Sequence, residues 1–248
     1  MKKAQIAFFV LISLIVVVAG VVGWLAYESL KEKEKIEIIN ATYAKEFVDS
    51  CFKAVSEMAL VEIGISGGYY RDPPNYGILF YTQIIPLYLY NKKKDVPQIE
   101  DVEEAIQDYI VLNLKYCLAQ LKSSNVNINY EQMKVDPKLD KQTTIILYLP
   151  VTVEENNKAI TFSDFEFNAP ISIQKFLDTA NQLVDWQINY DGICLDCIEN
   201  LAFQKKLKIK ALQQVFDPTN SSLQLYQIYD ESYKIENQSY LWVFAAEF

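Results

Sequence analysis

Two of the four cysteines stand three positions apart, in Cys194-Leu195-Asp196-Cys197. Thiols at that spacing can cycle between dithiol and disulfide when a helix start lowers the first pKa. The surroundings oppose catalysis: neither glycine nor proline separates the pair, Asp196 works against thiolate formation, and no strand signal leads directly into the motif. The expected role is a structural staple or a pair of reduced, buried thiols, with a membrane-tethered thiol-disulfide oxidoreductase using Cys194 and Cys197 as the alternative. A zinc site from all four cysteines would require Cys51 and Cys117 to meet this pair, whereas all-cysteine sites usually come as two close pairs.

The chain has no histidine. That removes the usual base for a Ser or Cys nucleophile, the commonest zinc ligand and the commonest acid/base near neutral pH. Carboxylate-only and Ser-Lys catalysis need spacings that the chain does not show, and no glycine-rich phosphate loop or calcium loop is present. The expectation is a non-enzymatic protein with no cofactor and no metal. A formal charge of -9, which becomes -11 once Lys2 and Lys3 are set aside, repels phosphate backbones, so nucleic acid is not an expected partner.

Seventeen tyrosines against seven glycines describe a patterned domain with amphipathic aromatic surface. They concentrate in GGYYRDPPNYGILFYTQIIPLYLYN, where Pro73-Pro74 and Asn75-Tyr76-Gly77 mark turns between short strands. Tyr69, Tyr70 and Tyr76, with Tyr81, Tyr88 and Tyr90 beside them, could line a ligand-binding face. The plainer alternative is rings that cover sheet surface and hold a loop.

The elements that would position these groups begin with an apolar run over 5–27. A hydrocarbon core about 30 Å thick needs roughly 20 helical residues, and this run is long enough to cross a bilayer once. It is longer than a secretory signal and ends on bulky Trp24, Leu25 and Tyr27, so a retained anchor is preferred. The resulting plan is a cytoplasmic leader at 1–4, a transmembrane helix at 5–27, a charged helical stalk at 28–43 and an extracytoplasmic α+β domain at 44–248. The fold class expected is α+β, with the transmembrane helix continuing into a helix packed on an antiparallel sheet and two further helices.

Apolar Phe47, Cys51, Val55, Met58 and Ala59 give a helix over 44–65. Pro97 opens a second through about 121, with acids massed in its first turns and Val102, Ile106, Tyr109, Asn113, Tyr116 and Cys117 sweeping one face. Cys51 and Cys117 both fall on apolar stripes, which predicts a disulfide between the two helices. Strand signals over 143–153 and 159–171 flank a polar turn at 154–158. A third helix follows over 173–190, and helical spacing returns from Cys194 to Leu201. Strand candidates at 206–216, 223–229 and 239–248 close the chain, the last apolar on both faces and therefore central and doubly covered. Loop closure between the last two is expected across Ser232 to Asn237.

Lysines flank both ends of the apolar run, so charge alone does not orient it. Sequons at Asn40, Asn220 and Asn237 and the even number of cysteines place the domain outside the membrane. The implied partner is the lipid bilayer, at a single-pass cell-surface location.

Lys2-Lys3-Ala4-Gln5, followed by Ile6-Ala7-Phe8-Phe9, resembles the leader of archaeal type IV pilin-like proteins. The resemblance implies cleavage between Ala4 and Gln5 and assembly with itself or other pilin-like subunits through the N-terminal helix. Phe9 stands where that family often carries a glutamate. The body, through its cysteine-bearing helices, Gly67-Gly68-Tyr69 and the Phe244-to-Phe248 ending, is similar to uncharacterised membrane-anchored proteins of small-genome archaea. The function expected is a membrane-anchored surface protein for assembly or adhesion, with a ligand-binding surface module as a further alternative.

Overall fold

A computed structural model of the chain describes residues 39–71, 76–80, 83–121, 123–189, 193–216, 222–235 and 237–247. The expected leader, membrane helix and most of the stalk lie outside these residues. Among them, no helix is long and apolar enough to cross a membrane.

Asn40 opens the first described helix, α1 (Ala41–Ile65), with extended backbone and a side-chain Oδ1 that accepts the Tyr43 N–H at 2.8 Å. This N-cap makes α1 begin afresh at Ala41, where the sequence reading expected the stalk helix to run on. Its buried face is Ala44, Val48, Cys51, Phe52, Val55, Ala59, Leu60 and Ile63. Met58, assigned to the apolar stripe from sequence, is instead 57% exposed. The α1 stripe is wide because helix and sheet neighbours cover it from different sides, so spacing alone placed its centre one position off. The helix ends on Gly67 and Gly68 at φ 56° and 87°. Gly68 N–H donates to the Ile63 carbonyl at 2.7 Å, closing the last turn as left-handed glycine caps do. A Cβ on Gly67 would stand 2.5 Å from the Val243 carbonyl, so this turn lies against the sheet.

The second helix, α2 (Ile99–Leu118), has the Gln98 backbone N–H bonded to Asp101 Oδ2 at 2.8 Å. Val102, Ala105, Ile106, Tyr109, Ile110, Leu114 and Leu118 are buried, whereas Tyr116, expected on the core face, is 70% exposed. Cys51 and Cys117 are bonded, with their Cα atoms 5.8 Å apart. The expected helix-to-helix disulfide is present.

Two sheets replace the single antiparallel sheet expected. The first contains β1 (Gly77–Phe80), β2 (Gln83–Tyr90), β3 (Lys93–Lys94), β8 (Lys208–Phe216), β9 (Ser222–Ile235) and β10 (Gln238–Glu247), in the order β1-β2-β10-β9-β8 with β3 on β2. It is mixed, because β10 pairs β2 in parallel through Ala245 with Leu87 and Ala246 with Leu89. Parallel neighbours need a long crossover, and more than half the chain separates these two, so local periodicity could not reveal the pairing. The second sheet is antiparallel: β6 (Thr143–Glu155) is flanked by β7 (Lys158–Ala169) on one side and by β4 (Val126–Ile128) and β5 (Lys134–Leu139) on the other. Its long hairpin turns at Asn156 and Asn157, both at positive φ, within the polar segment read as a turn.

The last strand is central, as expected, with Trp242, Val243, Phe244, Ala245 and Ala246 all buried. Strand β9 runs six residues beyond the expected Tyr229, and the turn shrinks to the residues around Asn237. Two more helices follow the second sheet, α3 (Ile173–Asn189) and α4 (Leu195–Lys205), giving four among the described residues where the expected fold class counted three. A single large apolar core joins α1 to α4 with both sheets, and a smaller cluster of Ile85, Leu87, Leu223, Leu225, Val243 and Ala245 lies on the opposite side of β10.

Candidate functional site

The C-terminal half of α1 crosses the ends of β8, β9 and β10 and leaves a groove of about 750 Å³. Met58, Val61 and Ile65 of α1 face Ile235 and Leu241 across it. Met58 and Val61 remain 57% and 39% exposed, and a thioether can adjust to an irregular apolar guest. The rims carry opposite charges, with Glu57 and Glu62 on the helix side and Lys208 and Lys210 on β8. Lys208 pairs with Glu231 at 2.6 Å, a solvent-exposed contact of little energetic weight. Lys210 Nζ sits 5.0 Å from the centre of the Tyr229 ring, held by the ring's negative face.

Tyr240 is the polar group that singles this groove out. The register of the β9–β10 ladder shifts between Ser239 and Tyr240, with the extra residues 231–233 on β9, and such bulges re-aim side chains. The Tyr240 ring meets Phe176 edge-on at 5.1 Å. Its hydroxyl is buried without a hydrogen-bond partner, close to Gly64, where a Cβ would stand 2.8 Å from the oxygen. Burial pushes the phenol's pKa far above its ordinary value. Buried hydroxyls in native proteins almost always have partners, so this one is an unusual open polar group behind the groove's lining, beside Gly64.

The expected tyrosine face is only partly assembled. Tyr69 and Tyr70 line a smaller cleft of about 320 Å³ together with Asp95, Asp101, Glu104 and Asp108. Burial, then the charges of Asp95 and Asp101, push the Tyr69 phenol up. Tyr70 packs edge-on against Tyr109 at 5.3 Å, and the Arg71 guanidinium lies 5.2 Å from its ring centre. Tyr76 is elsewhere, its ring tilted against that of Tyr90 with centroids 4.4 Å apart. Tyr88 is buried in the core, its hydroxyl donating to the Gly67 carbonyl at 2.7 Å and accepting from Trp242 Nε1 at 3.1 Å. Tyr81 lies outside the described residues.

Cys194 and Cys197 are also bonded to each other, with Cα atoms 5.2 Å apart, and no described cysteine is free. Cys194 is the N-cap of α4, its sulfur accepting the Cys197 N–H at 3.3 Å. Among the described residues no group of three or more metal-ligating side chains occurs. Asn40 and Asn237 are both exposed, at a helix cap and at the β9–β10 turn. Asn220, Ala4 and Gln5 lie outside the described residues.

Met58, Val61, Lys208, Lys210 and Tyr240 were not singled out as a site in the sequence. The available signals were apolar Met58 and Val61 on α1, the first of them read as part of the main stripe, and two lysines spaced by two on a strand. Neither is distinctive until β10 brings Tyr240 beside them. Comparison with known protein families, with curated proteins and with solved structures finds no match for this chain.

Proposed function

We propose that the chain is a membrane-anchored cell-surface protein whose α+β domain binds a small amphipathic molecule in the groove between α1 and the β8–β10 strand ends. The anchor and the outside location rest on the apolar run at 5–27 and on disulfides, which persist in oxidising compartments. Exposed Asn40 and Asn237 are compatible with glycosylation there. The observation that carries the binding reading is the unpartnered Tyr240 hydroxyl beside an apolar floor. A concave apolar site with a few placed polar groups and a volume of about 300–1,000 Å³ is what small-molecule sites commonly offer. Binding here is non-covalent, and no catalytic step is assigned to the groove. Assembly through a pilin-like helix keeps its support in the leader residues alone.

The test is saturation binding of 1-anilinonaphthalene-8-sulfonate to the full chain in lipid nanodiscs, with Val61→Trp supplying the lipid background. A saturable one-to-one fluorescence component in the wild type, absent from a Val61→Trp variant of unchanged thermal midpoint, is expected. Equal signals from the two proteins would remove the groove as the site.

A further inference from the structure

The end of α3 and the start of α4 hold two features that the groove does not use. One is the Cys194–Cys197 disulfide at the start of α4, both sulfur-bearing residues half-buried. The other is Gln187, on the last turns of α3, whose Nε2 and Oε1 are both buried without a hydrogen-bond partner. Gln187 and Cys194 line the same small cavity, closed by Leu183, Trp186, Ile198 and Tyr226. An amide left unsatisfied in such a place is destabilising, and native structures keep few of them.

A disulfide sulfur is a poor acceptor, whereas a thiolate is a strong one. Because Gln187 and Cys194 line the same cavity, a thiolate formed there on reduction could serve as an acceptor for the Gln187 N–H. Reduction would also place the Cys194 thiolate at a helix N-terminus, where the exposed N–H groups and the dipole favour negative charge, against the opposing charge of Asp196 in the same turn, which is exposed and screened by solvent. Both effects stabilise the dithiol state and so make the disulfide more oxidising than a purely structural one. Ile188, Ile193 and Leu195, adjacent to these residues in the chain, are 45%, 38% and 65% exposed. They offer apolar surface on which a polypeptide segment can rest.

We infer that Cys194–Cys197 is a thiol-disulfide exchange site that oxidises dithiols on apolar polypeptide segments, with Gln187 as a positioning residue for the reduced Cys194. A substrate thiolate attacks Cys194 Sγ, the Cys194–Cys197 bond breaks, and its electron pair remains on Cys197, which takes up a proton. A second substrate thiolate then attacks the substrate sulfur of the mixed disulfide. The new S–S bond is on the substrate, which has lost two electrons, and Cys194 leaves as the thiolate. One proton passes to solvent. A low-molecular-weight disulfide returns the pair to its oxidised form by the reverse exchange. The site is separate from the groove, and neither inference depends on the other.

The experiment uses the full chain in nanodiscs, equilibrated in glutathione redox buffers, with alkylation and peptide mass spectrometry reading each cysteine. Cys194–Cys197 is expected to be reduced in a millimolar glutathione buffer that leaves Cys51–Cys117 intact. In Gln187→Leu the equilibrium constant should shift about tenfold toward the disulfide, the size of effect that one lost charge-assisted hydrogen bond produces. The pH midpoint of Cys194 alkylation should rise in the same variant. Gln187→Met, close in shape, provides the same comparison if the leucine variant does not fold. Resistance of Cys194–Cys197 to glutathione, or an unchanged constant and midpoint in the folded variant, would overturn the proposal. A dithiol peptide with apolar flanks should be oxidised faster than one with hydrophilic flanks; equal rates would overturn the substrate assignment.

Discussion

At the scale of single residues, buried polar groups divide into those the fold satisfies and those it leaves open. Tyr88 belongs to the first kind. Its hydroxyl links the Gly67 carbonyl at the end of α1 to Trp242 on the central strand, and its ring stacks on Phe244 at 4.5 Å. Tyr88→Phe keeps the stack but strands a carbonyl and an indole N–H, so it should lower the unfolding free energy by about 1–3 kcal/mol. A shift in the urea midpoint at constant slope checks this. Asp230 is satisfied by charge. It is 4% exposed, bonded to Ser232 through both backbone N–H and hydroxyl, and paired with Lys175 Nζ at 3.0 Å. Burial alone would push its pKa up, but the Ser232 hydrogen bonds and then Lys175 outweigh it and hold the carboxyl below its ordinary value. A folded pKa below the unfolded value of about 3.9 means that the contribution is fully present above that pH. It is lost as pH falls through the folded pKa. Asp230→Asn should therefore cost about 2 kcal/mol at pH 7, and the gap from wild type should narrow progressively in denaturation curves taken as pH falls below the unfolded value. A gap that stays the same across that range would show that the charge is not responsible.

At the scale of elements, the two disulfides differ in what they can stabilise. Cys51–Cys117 spans 66 positions and ties α1 to α2, whereas Cys194–Cys197 spans three. In the chain-entropy model the first is worth about 4 kcal/mol and the second about 2 kcal/mol, because the entropy removed from the unfolded chain grows with the logarithm of loop length. Replacing both Cys51 and Cys117 by alanine should therefore lower the unfolding free energy by about 4 kcal/mol, roughly twice the loss from Cys194→Ala with Cys197→Ala. Denaturant titration of the two double variants decides the order. The redox inference agrees with this division, since the bond that holds two helices together is the one expected to stay closed.

At the scale of the whole molecule, α1 links the regions of interest. Its first half contributes Cys51 to the helix pair, its second half forms one wall of the groove, and its terminal glycines lie against β10. The apolar run ahead of it makes a prediction for the complete chain: it should sediment with membranes, resist alkaline extraction and require detergent for release. Mass spectrometry of the extracted protein should then find a Gln5 or pyroglutamate terminus, as the resemblance to pilin-like leaders implies. A Met1 or Lys2 terminus would exclude that cleavage, and release without detergent would exclude the anchor.

The sequence alone determined what depends on neighbours in the chain. The α3 limits, the Asn156-Asn157 hairpin, the glycine stop after α1 and the two-sided burial of β10 follow from periodicity, turn chemistry and composition, which act within a few residues. The Cys51–Cys117 bond was also legible, because both residues lay on apolar stripes of adjacent helices. Tertiary structure decided what depends on residues far apart. The parallel pairing of β2 with β10, the division into two sheets and the rotation of α1 that leaves Met58 in a groove have no local signature. Tyr240 is the clearest case: from sequence it is one more aromatic in the final strand. Only the register shift between β9 and β10, the close approach of Gly64 and the crossing of α1 bury its hydroxyl without a partner. A side chain's satisfaction is a property of its three-dimensional surroundings, so the residues that best mark a site here were those that local patterns could not distinguish.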